Sequence, residues 1–214
     1  KLPSAPALHK QHAGIGFLVL PQFRVPIFGL ALFWALGQGV LAIFPAFAKS
    51  EALITNTAVI QSILSCTGLG ILLGSWLAAY LQQAITSKKL IDNGSLRLAV
   101  AGMLVMVAGL FTLTLFYNPL LYALQFLLIG VASGLLIVPL NAYIQLRASY
   151  SMLGSVISGS NLIQNVAMLG TLALTIAIAF LAVSPASLLL MLGGIALFAA
   201  LFLVPALLGL AREN

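Results

Sequence analysis

Charged residues are scarce in this sequence: only 6% of its 214 residues are Asp, Glu, Lys or Arg, and only three are acidic. Soluble domains carry about 25% charged residues, so this low share, beside 62% hydrophobic residues, excludes an ordinary soluble domain. The single cysteine, Cys66, excludes an internal disulfide. The sequence therefore predicts an all-α integral membrane protein.

The same scarcity limits the chemistry. No Asp, Glu, Lys or Arg falls in the middle of any predicted membrane span, which argues against a proton relay or a clamp for a charged substrate. The sequence has no glycine-rich phosphate loop, no metal-ligand cluster and no nucleophile–base pair. His9 and His12 have the spacing of a metal pair on a helix, but no Cys or carboxylate accompanies them. We therefore expect no enzyme activity, no cofactor and no metal.

Six apolar segments are each long enough to cross a bilayer, which takes about 20 helical residues. The unbroken Leu, Ala, Ile and Gly runs exclude a β-barrel, whose strands alternate over about ten residues. Asn56 is a candidate helix cap, and Asp92-Asn93-Gly94 is a turn signal. The predicted spans are residues 25–47, 57–83, 97–116, 119–147, 155–183 and 186–210.

Residues 1–23 precede these spans and contain Pro3, Pro6 and Pro21, and their apolar run is too short to span a membrane. We expect a cytoplasmic linker at 1–23 and one six-helix transmembrane domain at 24–214. Because the chain opens on Lys1 rather than Met, we also expect it to be a piece of a longer protein.

The basic residues predict the orientation of this bundle. In the predicted topology Lys49 lies on one side of the membrane and the other eight Lys and Arg residues lie on the opposite side. Basic loops stay in the cytoplasm, so both termini are expected there. Arg97 and Arg147 are most simply topological anchors, with lipid-phosphate binding as the alternative.

Amide side chains recur inside the apolar spans. In the fifth span, Gly154, Ser158, Asn161, Asn165 and Met168 fall on one narrow stripe of a helix. Such groups either line a hydrated cavity or hydrogen-bond between helices, which is worth about 0.6 kcal/mol per contact. We favour the cavity for the amides, whereas the two alternatives stay open for the serines. The candidate substrate-binding residues are Gln38, Gln61, Asn141, Gln145, Ser158, Asn161, Gln164 and Asn165.

Several segments resemble the lysophospholipid transporter family of the major facilitator superfamily. Residues 138–145, VPLNAYIQ, resemble a signature that ends its tenth helix, and the run from Asn161 to Leu169 resembles its eleventh. Residues 44–49, FPAFAK, and 68–75, GLGILLGS, resemble its seventh and eighth helices. The resemblance covers nearly all of residues 24–210 and implies the C-terminal six-helix half of a transporter built from two such halves.

This resemblance implies that the chain helps to move lysophospholipid across the bacterial inner membrane by alternating access. It also implies an N-terminal six-helix half, or a second copy, as partner, and an acyltransferase and acyl-carrier-protein synthetase as fused or associated enzymes. The alternatives are a superfamily transporter of another small amphipathic solute and a membrane anchor that only docks lipid-modifying enzymes. Gly70, Gly74, Gly130 and Gly134 do not discriminate between these, because they only let helices approach closely.

Overall fold

The computed structural model describes residues 20–86 and 91–212, and in this part of the chain all six predicted spans are helices. Each of the six is long and apolar enough to cross a membrane. The all-α, six-span prediction is therefore confirmed. The expectations for His9, His12 and most of the 1–23 linker lie outside the described residues. The helices are α1 (Pro21–Ser50), α2 (Thr57–Thr86), α3 (Ile91–Thr112), α4 (Pro119–Arg147), α5 (Leu153–Ala179) and α6 (Pro185–Arg212).

The helix ends differ most from the sequence prediction in α1, α3 and α5, the last of which finishes at Ala179 rather than at 183. The first helix begins at Pro21 rather than at 25, since proline is well tolerated in a first helical turn. The third is shifted from 97–116 to Ile91–Thr112, so the turn signal at residues 92–94 lies within a helix. At its other end, the Thr112 carbonyl accepts a bond from Gln125 Nε2 (3.0 Å), which ties the end of α3 to α4. Asn56 caps α2 as predicted, accepting from the Ala58 amide (2.9 Å).

Helix α4 lies at the centre, in contact with α1, α2 and α3. Its crossing with α2 is a contact of backbones: a Cβ atom placed on Gly70 would lie 2.8 Å from the Gly130 Cα. One turn further on, a Cβ on Gly134 would lie 2.8 Å from the Gly74 Cα. The paired glycines therefore lock α2 against α4 at a distance that no side chain permits.

The other extensive contacts join α1 to α5 and α6, and α3 to α6. In the most apolar 18-residue stretch of each helix, no residue of α5 and only 22% of those of α2 are buried, against 33–56% in the other four helices. Helices α2 and α5 are thus the two whose surfaces the bundle leaves least covered.

Basic side chains mark one end of the bundle, here called the arginine end, where α1, α3 and α5 begin and α2, α4 and α6 finish. Its exposed or half-buried basic residues in the described part of the chain are Arg24, Arg97, Arg147 and Arg212, whereas Lys49 lies at the opposite end. Arg147 lies over the ring of Tyr143, 5.4 Å from its centroid. This charge distribution agrees with the asymmetry found in the sequence.

The opposite end, here called the Glu51 end, is tied together across the chain. Glu51 follows α1, and its Oε1 accepts a hydrogen bond from the Ala186 amide (2.9 Å) in the first turn of α6. A carboxylate at a helix N-terminus satisfies a free N–H group and meets the positive end of the helix dipole. Glu51 therefore caps a helix that lies 135 residues away in sequence.

Aromatic rings close the Glu51 end between α1 and α4. The Phe44 ring contacts those of Phe126 and Tyr122 edge-on, with centroids 4.6 and 5.3 Å apart. Phe47 contacts Tyr122 and Tyr117 at 6.2 and 6.5 Å. Since Phe44, Phe47, Tyr122 and Phe126 are fully buried, this cluster is a solid floor beneath the centre of the bundle.

Candidate functional site

A cavity of about 270 Å³ lies above the aromatic floor, near the middle of α1. Five helices contribute to it, and most of the side chains around it are apolar. Phe126 belongs both to its wall and to the floor. The lining residues are Phe33, Trp34, Leu36, Gly37, Gln38, Val40, Leu41, Leu64, Thr67, Gly68, Ile71, Met106, Leu110, Phe126, Ile129, Ser133 and Met168.

Three polar side chains reach this cavity. Ser133 Oγ is already used, donating to the Ile129 carbonyl (2.6 Å) of its own helix. Thr67 Oγ1 is buried and has no hydrogen-bond partner among the described residues. Gln38, one of the predicted substrate-binding residues, lines the cavity from α1. The cavity therefore offers two hydrogen-bonding groups, Gln38 and Thr67, in an otherwise apolar wall.

The α5 stripe leads from the cavity toward the arginine end. Ser158, Asn161 and Asn165 are exposed, and Met168, the last member of the stripe, lines the cavity itself. Met168 lies seven residues after Asn161, about 10 Å further along the helix. Ser158 Oγ bonds to the Gly154 carbonyl (2.9 Å) within the helix. The two asparagines, here called the α5 track, thus form a polar strip on an open face beside an apolar cavity.

Helix α2 presents a second open stripe on the same side of the bundle. Gln61, Ser65 and Gly68 are all exposed, and Gly68 and Met168 line the same cavity. Gln61, however, lies two turns from Gly68 toward the Glu51 end, whereas Asn161 and Asn165 lie toward the arginine end. The structure therefore places Gln61 on the shared face but apart from the asparagines. Unpaired amides cost several kcal/mol in hydrocarbon, so this face requires water or protein against it.

Asn141 and Gln145 lie in the last two turns of α4, at the arginine end. Gln145 is exposed, whereas Asn141 is half-buried and its Nδ2 donates to the Ile137 carbonyl (3.0 Å) of its own helix. Gly29 of α1, whose Cβ would meet Leu140 at 3.1 Å, packs at the same level. These two amides therefore lie beyond the cavity, near the end of the bundle.

Gln164 differs from the other candidates. It is buried, and its Nε2 donates to Ser160 Oγ (2.8 Å), one turn earlier on the inner side of α5. The bond places Gln164 inside the bundle and off the exposed stripe. Of the eight candidates, the structure gathers Ser158, Asn161 and Asn165 on one face leading to Gln38, and leaves Gln61, Asn141, Gln145 and Gln164 apart from that track.

Sequence reasoning missed Thr67 and Ser133, because no helical stripe of amides marks them. Ser133 lies beside the packing glycine Gly134, whose spacing indicated helix contacts alone, and Thr67 lies outside the predicted α2 stripe of Gln61, Ser65 and Gly68. Within residues 20–86 and 91–212 no group of three His, Cys, Asp or Glu side chains is placed to hold a metal ion.

The known proteins that the chain matches include three bacterial proteins named lysophospholipid transporter LplT. The chain is 32% identical over 150 residues to that of Klebsiella pneumoniae and 32% over 149 residues to that of Serratia proteamaculans. It is 29% identical over 149 residues to that of Yersinia enterocolitica. Each match covers 69% of this chain and 35% of the relative, so the chain matches about a third of the relatives' length.

No family model matches the chain, and no solved structure matches it. The relatives are nonetheless transporters by name, and the six apolar helices are those of a multi-pass membrane protein. The resemblance inferred from the sequence is therefore confirmed: the chain is a homologue of the lysophospholipid transporters.

Proposed function

We propose that this homologue of the lysophospholipid transporters is the C-terminal half of such a transporter, with the major facilitator fold, and moves lysophospholipid across the bacterial inner membrane. The observation that carries the proposal is the exposed α5 track, Asn161 and Asn165, leading to an apolar cavity. A lysophospholipid has a polar headgroup and one acyl chain, and it needs both environments side by side. The name of the relatives supports the same substrate class.

The partner in this proposal is an N-terminal six-helix half, or a second copy of the chain. It would cover the open face of α2 and α5, whose amides cannot face lipid. Rocking of the two halves would then expose the cavity to each side of the membrane in turn. An acyltransferase and an acyl-carrier-protein synthetase, fused or associated, stay a prediction of the family resemblance.

Uptake of labelled lysophosphatidylethanolamine into proteoliposomes tests the proposal. We expect the protein as the cell produces it to transport this lipid, whereas residues 1–214 alone insert without transporting it, because half of the cavity wall is missing. Phosphatidylethanolamine with two acyl chains is the control substrate. A protein that moves other amphipathic solutes but no lysolipid would contradict the substrate, and transport by monomeric 1–214 would contradict the need for a partner.

We further propose that the arginine end and both termini lie in the cytoplasm, because basic ends of spans are retained there. Two single cysteines in a Cys66→Ser background test this orientation. Leu53→Cys at the Glu51 end and Tyr150→Cys in the turn after α4 suit the test because these positions are 78% and 99% exposed. An impermeant maleimide added to intact cells should label position 53 and spare position 150. The reverse labelling would overturn the proposed orientation.

A further inference from the structure

The cavity wall contains two glycines with unfilled space beside them. A Cβ atom built on Gly37 of α1, or on Gly68 of α2, would meet nothing within 4 Å. Both glycines line the cavity. They contrast with Gly70, on the same helix as Gly68, where a Cβ would meet the backbone of α4. Helix packing therefore explains Gly70 but explains neither Gly37 nor Gly68.

Glycine in a helix interior is destabilising relative to alanine. A glycine that makes no packing contact therefore lowers the stability of the fold, and no close helix packing offsets the loss. What Gly37 and Gly68 provide is volume, since any side chain at either position would project into the cavity. The wall around that volume includes Phe33, Leu64 and Met106. Apart from Gln38, Thr67 and Ser133 the wall is apolar, so the space suits a hydrocarbon chain and has too few polar groups to solvate a zwitterionic headgroup.

We infer that the cavity holds the end of the acyl chain, and that Gly37 and Gly68 set the longest chain that it accepts. The inference rests on the proposed function and adds a specificity determinant to it. The α5 track fixes the direction of the lipid: with the headgroup near Asn161 and Asn165, the chain runs past Met168 into the cavity and toward the floor at Phe126. That floor is buried and close-packed, so the chain has no room to continue.

Gly68→Leu and Gly37→Leu test this inference, because each fills the cavity without a clash at its Cβ. Gly194→Leu is the matched control: it is also a helical glycine with nothing within 4 Å of its Cβ, but it lies on α6 and does not line the cavity. Each variant is made in the protein as the cell produces it, and uptake of palmitoyl and decanoyl lysophosphatidylethanolamine is compared.

Each methylene excluded from an apolar site lowers affinity about fourfold, so displacing two of them reduces palmitoyl uptake by roughly fifteenfold. We therefore expect the ratio of palmitoyl to decanoyl uptake to fall about fifteenfold in both cavity variants and to stay unchanged in Gly194→Leu. An unchanged ratio in folded, active Gly68→Leu and Gly37→Leu overturns the inference. If the unmodified protein moves neither lipid, the proposed function itself fails.

A second measurement needs no variant and so does not depend on variant folding. A lysolipid with a photoreactive diazirine at the end of its acyl chain is irradiated with the unmodified protein, and the labelled peptides are identified. Crosslinks to cavity residues such as Met106 and Met168 are expected. Crosslinks confined to exposed residues of α6 that do not line the cavity, such as Phe198 and Phe202, would show that the chain stays outside the cavity and would overturn the inference.

Discussion

Gly70→Val should leave no stably folded protein, whereas Gly68→Val, two residues earlier, should fold as well as the unmodified chain. The added Cβ at Gly70 would lie 2.8 Å from the Gly130 Cα and 2.9 Å from the Val131 nitrogen. These are backbone atoms, so no change of rotamer relieves the clash and α2 must move away from α4. Overpacking costs about 1–3 kcal/mol or more even where side chains can adjust, out of a total stability of about 5–15 kcal/mol.

Fluorescence-detected size-exclusion chromatography in detergent, with a melting curve for each variant, measures this difference. Gly68→Val is the control for the effect of placing a β-branched residue in the same helix, because a Cβ atom at position 68 meets nothing within 4 Å. Gly134→Val, which places a Cβ against Gly74, should behave like Gly70→Val. Equal melting temperatures for Gly70→Val and Gly68→Val would show that α2 and α4 can separate at little cost, contrary to the tight crossing.

The double variant Asn161→Leu, Asn165→Leu should lower the uptake of lysophosphatidylethanolamine at least a hundredfold while the protein stays folded. Both side chains are exposed on the α5 track, so replacing them removes no contact within the bundle. A hydrogen bond to a charged group is worth about 1.5–3 kcal/mol, and the loss of two such bonds to a headgroup exceeds the 2.7 kcal/mol that corresponds to a hundredfold.

Gln164→Leu is the matched control, because it removes an amide from the same helix but from its buried side. It breaks the bond to Ser160, a loss of about 0.6 kcal/mol within a membrane bundle, and should shift the melting temperature slightly with uptake retained. Full uptake by the double asparagine variant would mean that these amides contact a partner half rather than substrate. A lowered melting temperature in that variant would point to the same alternative.

The length of the apolar runs was enough to predict the six helices, because each segment is much longer than the few residues by which a predicted helix end can be wrong. The end of α3 was mispredicted for a tertiary reason: the bond from Gln125 to the Thr112 carbonyl stabilises an earlier end, and local sequence does not show it. Periodicity also identified the α5 stripe. It could not show that Gly37 and Gly68 face open space while Gly70 and Gly74 face backbone, since that difference depends on where α1, α2 and α4 cross.

The bond between Glu51 and the Ala186 amide also constrains the order of events during synthesis. At about 5–20 residues per second, the 135 residues between the two partners take the ribosome roughly 7 to 27 s. Throughout that interval α1 is already made, while the Glu51 carboxylate lacks the Ala186 amide that donates to it. The cap at the Glu51 end can therefore form only after α6 has begun to emerge, so the loop that follows α1 is completed by a helix made five helices later.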